Sequence, residues 1–243
     1  MGFFDKLMEK KYCSICNAEV GKIFNKKLED GYLCKECAGK LSPFFDERRH
    51  STVEEIKEQL AYREENQANL EHFQVTKTLG KNTKVRIDED QQKFVVSPKS
   101  KNWAAKNPDI IDFTQVTGCT VDVEEYQNEV FRTNKKGETV SYNPPRYTYE
   151  YDVSCLLEVN HPYFSQIKIA INDSRIEDRK SLEFENCNKI ANEIKRVITN
   201  TKREIRKQEE AAAAPKQAVV CPSCGATTTP DENGCCEYCG MAL

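Results

Sequence analysis

The sequence predicts an α+β protein: an antiparallel β-sandwich or half-barrel capped by a C-terminal helix, with a small zinc module on either side. Three observations lead to this prediction. Eight of the twelve cysteines form four close pairs, two near each end of the chain. Residues 74–179 alternate apolar and polar side chains with the period of β-strands. Residues 181–210 then return to helical spacing.

The N-terminal cysteine pairs predict a zinc module within residues 1–50. The four residues are Cys13, Cys16, Cys34 and Cys37. Two Cys-x-x-Cys pairs provide four thiolates, which form the tetrahedral ligand set of a structural zinc site. Asp30-Gly31 predicts a hairpin turn between the pairs, and its apolar flanks are Val20, Ile23, Phe24, Tyr32 and Leu33. The second pair opens a predicted helix that runs through Leu41, so that both of its cysteines face the metal.

The first residues of the chain predict a short helical turn. Phe3, Phe4, Leu7 and Met8 can share one helical face. We expect this face to pack on the zinc module, and contact with a membrane surface is the alternative. One or two helical turns bury too little apolar surface to hold a bilayer alone.

Residues 51–73 predict a helical spacer. Ser51-Thr52-Val53-Glu54 matches the capping box, in which serine and glutamate satisfy free amides at the helix start. Val53, Ile56 and Leu60 make an apolar stripe, and the turns that follow are polar. We therefore expect a mostly exposed helix that docks by one narrow face.

Residues 74–210 predict a strand-rich domain with a capping helix. At least five strands are expected, at Val85/Ile87, Phe94–Val96, Val116/Val121/Val123, Tyr147–Val159 and Ile167/Ile169/Ile171. Asp88-Glu89-Asp90 between two of them predicts a solvated turn rather than a catalytic or metal site. The capping helix has an apolar stripe of Ile190, Ile194, Val197 and Ile198. Residues 211–220, which are rich in alanine, predict a linker.

Residues 221–243 predict the second zinc module. Its cysteine pairs are Cys221/Cys224 and Cys236/Cys239. Cys235 could replace Cys236, but only Cys236 keeps the two-residue spacing to Cys239. Gly225 and Gly240 follow the second cysteine of each pair, where a tight turn lets backbone amides point at sulfur. We expect two structural zinc ions, and iron stays open because four thiolates suit both metals.

Composition and charge narrow the classes of function. The chain is 38% hydrophobic and 31% charged, and it has no apolar run long enough to cross a membrane. No apolar signal region starts the chain, so we expect a cytoplasmic protein whose cysteines bind metal rather than form disulfides. The net charge of −3 becomes more negative when eight thiolates bind two zinc ions. This argues against nonspecific nucleic-acid binding.

Both cysteine modules resemble known zinc folds. The Cys13–Cys37 segment resembles a treble-clef finger, in which a knuckle and a hairpin precede a helix with the last two ligands. Its seventeen-residue gap between the pairs is also that of GATA-type fingers. The Cys221–Cys239 segment, with its Cys-Gly steps, resembles a short zinc ribbon.

The middle region is similar to bacterial pleckstrin-homology-like (PH-like) domains, which are strand-rich half-barrels capped by a C-terminal helix. The element order carries this resemblance, together with residues 107–113 leading into Val116-Thr117-Gly118-Cys119. The order of finger, Ser51 helix, Lys77-Thr78-Leu79-Gly80 strand and terminal ribbon resembles an uncharacterised family of bacterial cytoplasmic proteins. That resemblance implies an architecture and no activity.

The sequence indicates that the protein is not an enzyme. His50, His72 and His161 are isolated, and no Gly-rich phosphate loop, metalloprotease helix or nucleophile elbow is present. Cys155 with His161 is the one Cys/His combination left open. Cys119, Cys155, Cys187 and Cys235 are not expected to be ligands, and Cys119 and Cys155, which lie in predicted strands, are expected to behave as small buried hydrophobes.

We expect a cytoplasmic adaptor that binds a protein partner, through exposed sheet edges, the finger or the ribbon. One alternative is lipid-headgroup binding by Lys77, Lys81, Lys84 and Arg86 with Phe3 and Phe4. Residues 74–180 hold sixteen basic and sixteen acidic residues, which gives this alternative no net attraction to an anionic leaflet. The other alternative is nucleic-acid binding through the first finger. Pro144-Pro145-Arg146-Tyr147 is interpreted as a loop entering a strand rather than a proline-rich ligand.

Overall fold

The computed structural model describes residues 10–21, 26–45, 47–213, 218–231 and 234–243. The predicted N-terminal turn of Phe3, Phe4, Leu7 and Met8 lies outside these residues, as do Ile23 and Phe24. The chain divides into two compact units, residues 1–202 and residues 203–243. It is a mixed α+β protein with antiparallel sheets and one long C-terminal helix.

Four two-residue strands and a short helix surround the N-terminal cysteines. The strands are β1 (Lys11–Tyr12), β2 (Glu19–Val20), β3 (Lys26–Lys27) and β4 (Tyr32–Leu33), and the helix is α1 (Lys35–Gly39). β1 pairs with β2, and β3 pairs with β4 across the predicted Asp30-Gly31 turn. The helix was expected to run through Leu41 but ends two residues earlier, at Gly39, with Lys40 as its C-cap; Leu41 is buried in the small core of the module.

Helix α2 (Val53–Leu70) begins one residue later than the capping-box prediction placed it. The N-cap is Thr52, whose hydroxyl accepts from the amide of Glu55 at 3.3 Å. The Glu55 carboxylate accepts in turn from the Thr52 amide at 2.7 Å. Ser51, the predicted cap, instead donates its hydroxyl to the carbonyl of Glu47 at 3.2 Å.

The buried face of α2 is largely polar. It consists of Ile56, Gln59, Arg63, Asn66 and Leu70. The predicted apolar stripe packs as expected: Ile56 is buried, and Val53 and Leu60 pack partly buried against the same core. Farther along the helix, hydrogen bonds and an ion pair hold the buried face. The helix packs through one narrow face, as expected, but the apolar pattern of the sequence did not reveal that most of this face is polar.

The first large sheet contains four strands in the order of the chain. They are β5 (Lys77–Leu79), β6 (Thr83–Asp88), β7 (Lys93–Pro98) and β8 (Ile110–Asp112), all antiparallel. Both faces of this sheet are covered. Val85 and Ile87 are buried on one face, while Arg86 and Val95 are buried on the other. Leu70, Phe73 and Trp103 pack on Val95, so the C-terminal end of α2 lies against the sheet.

The predicted Asp88-Glu89-Asp90 turn joins β6 to β7, but only part of it is solvated. Asp88 is buried, and its carboxylate accepts from the backbone amides of Gln74 at 2.8 Å and Gln91 at 3.0 Å. Glu89 and Asp90 are exposed. The acidic run therefore serves as a turn whose first residue fixes the neighbouring backbone.

The second large sheet contains β9 (Val116–Thr133), β10 (Thr139–His161) and β11 (Phe164–Ala170), in the order β11-β10-β9. β10 pairs with β11 only over Ser154–His161, whereas it pairs with β9 from Thr139 onward. Residues 125–151 therefore form a two-stranded arm that extends beyond the sheet. Neither large sheet closes into a barrel within the described residues.

Helix α3 (Leu182–Ala213) packs on β10. Phe184 meets the ring of Tyr151 at 5.6 Å between centroids, and the Cys155 thiol donates to the carbonyl of Ala191 at 3.3 Å. Its buried residues through position 198 recur at helical spacing: Phe184, Cys187, Ala191, Ile194 and Ile198. None of the described helices has an apolar stretch long enough to cross a bilayer.

Two short strands, β12 (Val219–Val220) and β13 (Thr227–Thr228), pair in the C-terminal unit. They carry the first C-terminal cysteine pair between them. Two isolated β-bridges, Pro230 with Cys236 and Cys235 with Ala242, enclose the second pair, and Cys236 takes part in the first of them. Few apolar side chains are buried among the described residues after position 217, so the four cysteines are the main candidate for a stabilising centre there.

Candidate metal centres

The structure brings the eight predicted cysteines together in two groups of four. The first group is Cys13, Cys16, Cys34 and Cys37, and the second is Cys221, Cys224, Cys236 and Cys239. Within each group all sulfur atoms lie within 4.8 Å of one another. Cys236 belongs to the second group and Cys235 does not.

Three of the four cysteine pairs form the same backbone turn. The residue after the second cysteine is Asn17, Gly225 or Gly240, and each has a positive φ, of 57°, 74° and 69°. Its amide donates to the carbonyl of the first cysteine, at 2.9, 2.9 and 2.8 Å. The two glycines were expected to make this turn. Asn17 makes the same turn because asparagine tolerates the left-handed region better than most residues.

The fourth pair lies at the start of α1. Cys34 is the N-cap residue, and its sulfur accepts from the backbone amide of Cys37 at 3.3 Å. The amide of Ala38 donates to the carbonyl of Cys34 at 3.0 Å. Free amides at a helix start favour negative charge, so this position suits a thiolate.

The sulfur spacings fit a four-thiolate metal site. Cys16 and Cys34 are 3.7 Å apart, Cys221 and Cys239 are 3.6 Å apart, and Cys224 and Cys236 are 3.7 Å apart, measured between Sγ atoms. A tetrahedron with metal–sulfur bonds of about 2.3 Å has edges of about 3.8 Å. A disulfide would need about 2.05 Å. Each group could therefore hold one metal ion.

Backbone amides prepare one sulfur in each group for negative charge, whereas the neighbouring sulfurs raise the pKa of Cys224 in the second group. The amide of Cys224, helped by that of Ser223, lowers the pKa of Cys221 to about 6. Burial raises the pKa of Cys13, but the amides of Cys16, Cys34 and Ile15 outweigh this effect and bring it to about 6. Thiolates are the form that binds metal. Four thiolates would fill the coordination shell of a tetrahedral metal ion, so no position would be left for a reacting water.

The cysteines on β9, β10 and α3 have a different environment. Cys119, Cys155 and Cys187 belong to neither group. Burial raises the pKa of Cys155 to about 12 and that of Cys119 to about 11. Both thiols are held in their neutral form. Cys155 is buried, as expected, whereas Cys119 is partly exposed.

The candidate pair of Cys155 and His161 is not assembled. The two residues lie six positions apart on β10, or about 20 Å along the strand. The imidazole Nδ1 of His161 accepts from the amide of Tyr163 at 3.3 Å, and its Nε2 lies 3.0 Å from the hydroxyl of Tyr62. Because Nδ1 accepts, the proton is on Nε2 and is donated to Tyr62. His161 also stacks on Phe164 with centroids 4.0 Å apart.

A buried ion pair links α2 to the loop before β8. Arg63 Nη1 lies 2.6 Å from Asp109 Oδ1, and the two side chains are 5% and 0% exposed. Ser42 donates its hydroxyl to the other carboxylate oxygen at 2.9 Å, and Arg63 Nε donates to the carbonyl of Lys40 at 3.1 Å. This network ties the segment after α1 to the four-stranded sheet. Nothing in the sequence indicated the ion pair, because buried charges leave no periodic pattern.

The four cations of the lipid-binding alternative do not form one open pocket. Arg86 is buried, donates to the hydroxyl of Ser97, and lies 4.8 Å from the centre of the Trp103 ring. Lys84 donates to the carbonyl of Gly80 at 2.7 Å. Phe3 and Phe4 lie outside the described residues. The geometry therefore gives this alternative no support.

A family model described as a domain of unknown function (DUF4428) matches residues 11–59. The match covers the N-terminal cysteine group and the first part of α2, which is about a fifth of the chain. No curated protein and no solved structure matches this chain significantly.

Proposed function

We propose that the protein is a non-enzymatic adaptor of the cytoplasm, stabilised by two structural zinc ions and binding other proteins. The observation that carries this proposal is the pair of four-cysteine groups with tetrahedral sulfur spacing. Such a site holds its surroundings in shape and offers no open coordination position for chemistry. The ions would stabilise modules too small to fold on an apolar core alone.

The proposed folds agree with this role. A knuckle, a hairpin and a helix around Cys13–Cys37 are the parts of a treble-clef finger, and the second group has those of a zinc ribbon. Four antiparallel strands, three further strands and a C-terminal helix are the parts of a PH-like domain. Folds of this kind commonly display surfaces for other macromolecules, so the proposal assigns binding rather than catalysis.

Metal content per chain is the first test, measured by elemental mass spectrometry on the purified protein. The expected result is two zinc ions per chain. Cys236→Ser should reduce this to one, and the matched control Cys235→Ser should keep two. Bound iron, or a single metal in the unaltered protein, would contradict the assignment of two structural zinc sites.

Binding is tested separately, with the purified chain immobilised and exposed to a bacterial extract. A saturable protein partner that is retained by Cys119→Ser but lost from Cys37→Ser or Cys236→Ser supports the adaptor role. Absence of any partner, with retardation of DNA or binding to anionic liposomes by the same preparation, would replace it with one of the other two functions. A steep salt dependence would mark the nucleic-acid case.

A further inference from the structure

The arm, residues 125–151, leaves two strand edges open within the described structure. β9 pairs only with β10, and β10 between Thr139 and Glu150 pairs only with β9. An open edge presents backbone N–H and C=O groups that can accept another strand. From Glu125 to Thr133 the β9 edge is about 27 Å long. No residue of β9 after Val116 is buried.

The two edges of the arm are not equally available. On β10, Pro144 and Pro145 lie in a register shift between Ser141 and Arg146. Proline lacks an amide donor, and an irregular strand pairs poorly, so this edge is protected against further pairing. β9 contains no proline and pairs in continuous register along the arm, except opposite that shift. The edge of β9 is therefore the one suited to accept a strand.

Charge is unevenly distributed along β9 and the turn that follows it. The part nearer the sheet carries Asp122, Glu124 and Glu125, the middle carries Glu129, and the far end carries Arg132, Lys135 and Lys136. Among the described residues, these three cations have no carboxylate within ion-pair distance. Arg132 instead lies 5.4 Å from the centre of the Tyr142 ring. Glu124 pairs with Lys168 of its own chain and accepts from the hydroxyl of Tyr126, but its side chain stays partly exposed and can take a further cation. A strand that is acidic at one end and basic at the other complements itself when it runs antiparallel.

We propose that β9 pairs with β9 of a second copy of this chain, in antiparallel register about a two-fold axis at Asn128. This register places Glu124 of each copy opposite Arg132 of the other. Tyr126 then faces Val130, which is an aromatic–β-branched pair of the kind that stabilises sheets. The two arms form a four-stranded sheet with an isologous interface.

Neighbouring registers are excluded by like charges. A two-fold axis perpendicular to the sheet maps each face of the sheet onto itself. The two residues of a cross-strand pair must therefore have side chains on the same face, so the sum of their residue numbers can change only in steps of two. One such shift puts Glu125 opposite Glu129, and the other puts Glu129 opposite itself. Like charges directly opposite each other destabilise a sheet. Only the register centred on Asn128 gives two Glu–Arg pairs without such a conflict.

This inference goes beyond the proposed adaptor role, and it concerns the purified chain without any partner. Sedimentation velocity over a concentration series tests it. The unaltered protein should show a monomer–dimer equilibrium. Arg132→Glu should weaken the dimer about tenfold, because two attractive cross-strand pairs become repulsive. Asn128→Lys should weaken it as well, by placing two ammonium groups together at the axis.

The double variant Glu124→Arg/Arg132→Glu reverses both charges and should restore the dimer. Arg196→Glu, an equal charge change at an exposed position on α3, should leave the equilibrium unchanged. Circular dichroism on every variant checks that the fold is kept. A monomer at all concentrations, a dimer indifferent to Arg132→Glu and Asn128→Lys, or a double variant that fails to recover would each overturn the proposal.

Discussion

At the scale of single residues, His161 is the group most clearly shaped by its surroundings. Burial, followed by the positive charge of Arg63, lowers its pKa from 6.5 to about 4. The amide of Tyr163 reinforces this shift, because it donates to Nδ1 and so requires a ring nitrogen without a proton. The folded protein therefore keeps His161 neutral where the unfolded chain would protonate it.

This difference predicts a pH dependence of stability. Between pH 6.5 and about 4 the unfolded state binds a proton that the folded state does not, so the free energy of unfolding falls as the pH falls. His161→Gln should show a smaller loss between pH 7 and pH 4.5 than the unaltered protein, in urea titrations at each pH. Equal losses in the two proteins would show that His161 is not the group responsible.

Arg63 and Asp109 allow a second prediction at this scale. Burial raises the pKa of Asp109, and the guanidinium of Arg63 together with the hydroxyl of Ser42 offsets part of that effect. Asp109→Asn would leave Arg63 charged and unpaired in the interior, at a cost of about 3–5 kcal/mol. Urea unfolding measures this loss in the free energy of unfolding. Replacing both residues, as Arg63→Met/Asp109→Leu, should cost less than the sum of the two single changes.

At the scale of elements, the turn between β5 and β6 depends on Gly80. Its φ is +89°, and a Cβ atom there would lie 2.2 Å from the carbonyl oxygen of Thr83. Gly80→Ala should therefore destabilise the protein by about 1–3 kcal/mol. Gly137→Ala is the matched control, since Gly137 also has a positive φ, of +84°, but open space around it. Similar losses of thermal stability in both variants would rule out the steric explanation.

The same scale shows what patterns in the sequence can reveal. Val85/Ile87 and Ile167/Ile169 were correctly predicted as strand residues, because one face of each strand is apolar and buried, whereas the predicted Ile171 lies just beyond the end of β11. β8 was missed because three residues are too few to display a period. The outer part of β10, including Pro144 and Pro145, was interpreted as a loop because both of its faces are exposed and polar. The part of the arm from Tyr147 was predicted as strand because its tyrosines alternate with polar residues, although Tyr147 and Tyr149 are exposed. The part before Arg146 lacks such a pattern and contains the two prolines.

At the scale of the whole molecule, the N-terminal module and the sheets should respond differently to loss of a ligand. Among the described residues, the core of the module is a cluster of seven buried residues, one of them Ile56 of α2, and two of these are the cysteines Cys13 and Cys37. Binding of structural zinc contributes about 10–16 kcal/mol in finger peptides. Cys37→Ser should therefore unfold residues 11–39, while β5–β11 keep their structure.

Amide hydrogen exchange followed by mass spectrometry measures this directly. Peptides from residues 11–39 should exchange rapidly in Cys37→Ser, and those from β6, β7 and β10 should stay protected. Cys119→Ser is the control and should leave both regions protected. Protection of residues 11–39 in a chelated sample of the unaltered chain would contradict a metal-dependent fold.

The candidate metal groups were largely predictable from the sequence because cysteine spacing encodes them directly. Even the choice of Cys236 over Cys235 follows from the two-residue spacing to Cys239, and the structure groups Cys236 with the other three. The cap at Thr52 and the polar face around Arg63 were not predictable in this way. The cap moves to Thr52 because Ser51 bonds to the carbonyl of Glu47 instead. The polar face depends on Asp109, a partner far along the chain that only the folded backbone brings close.

Each cysteine group is drawn from one short stretch, residues 13–37 or residues 221–239. Because residues 13–37 precede every strand of the large sheets and residues 221–239 follow all of them, one group is synthesised before those sheets and the other after them. The first metal can therefore be bound before the sheets form, and the second only after their strands have been made. A chain cut between these two stretches would carry one ion, so metal stoichiometry distinguishes it from a chain that holds both groups.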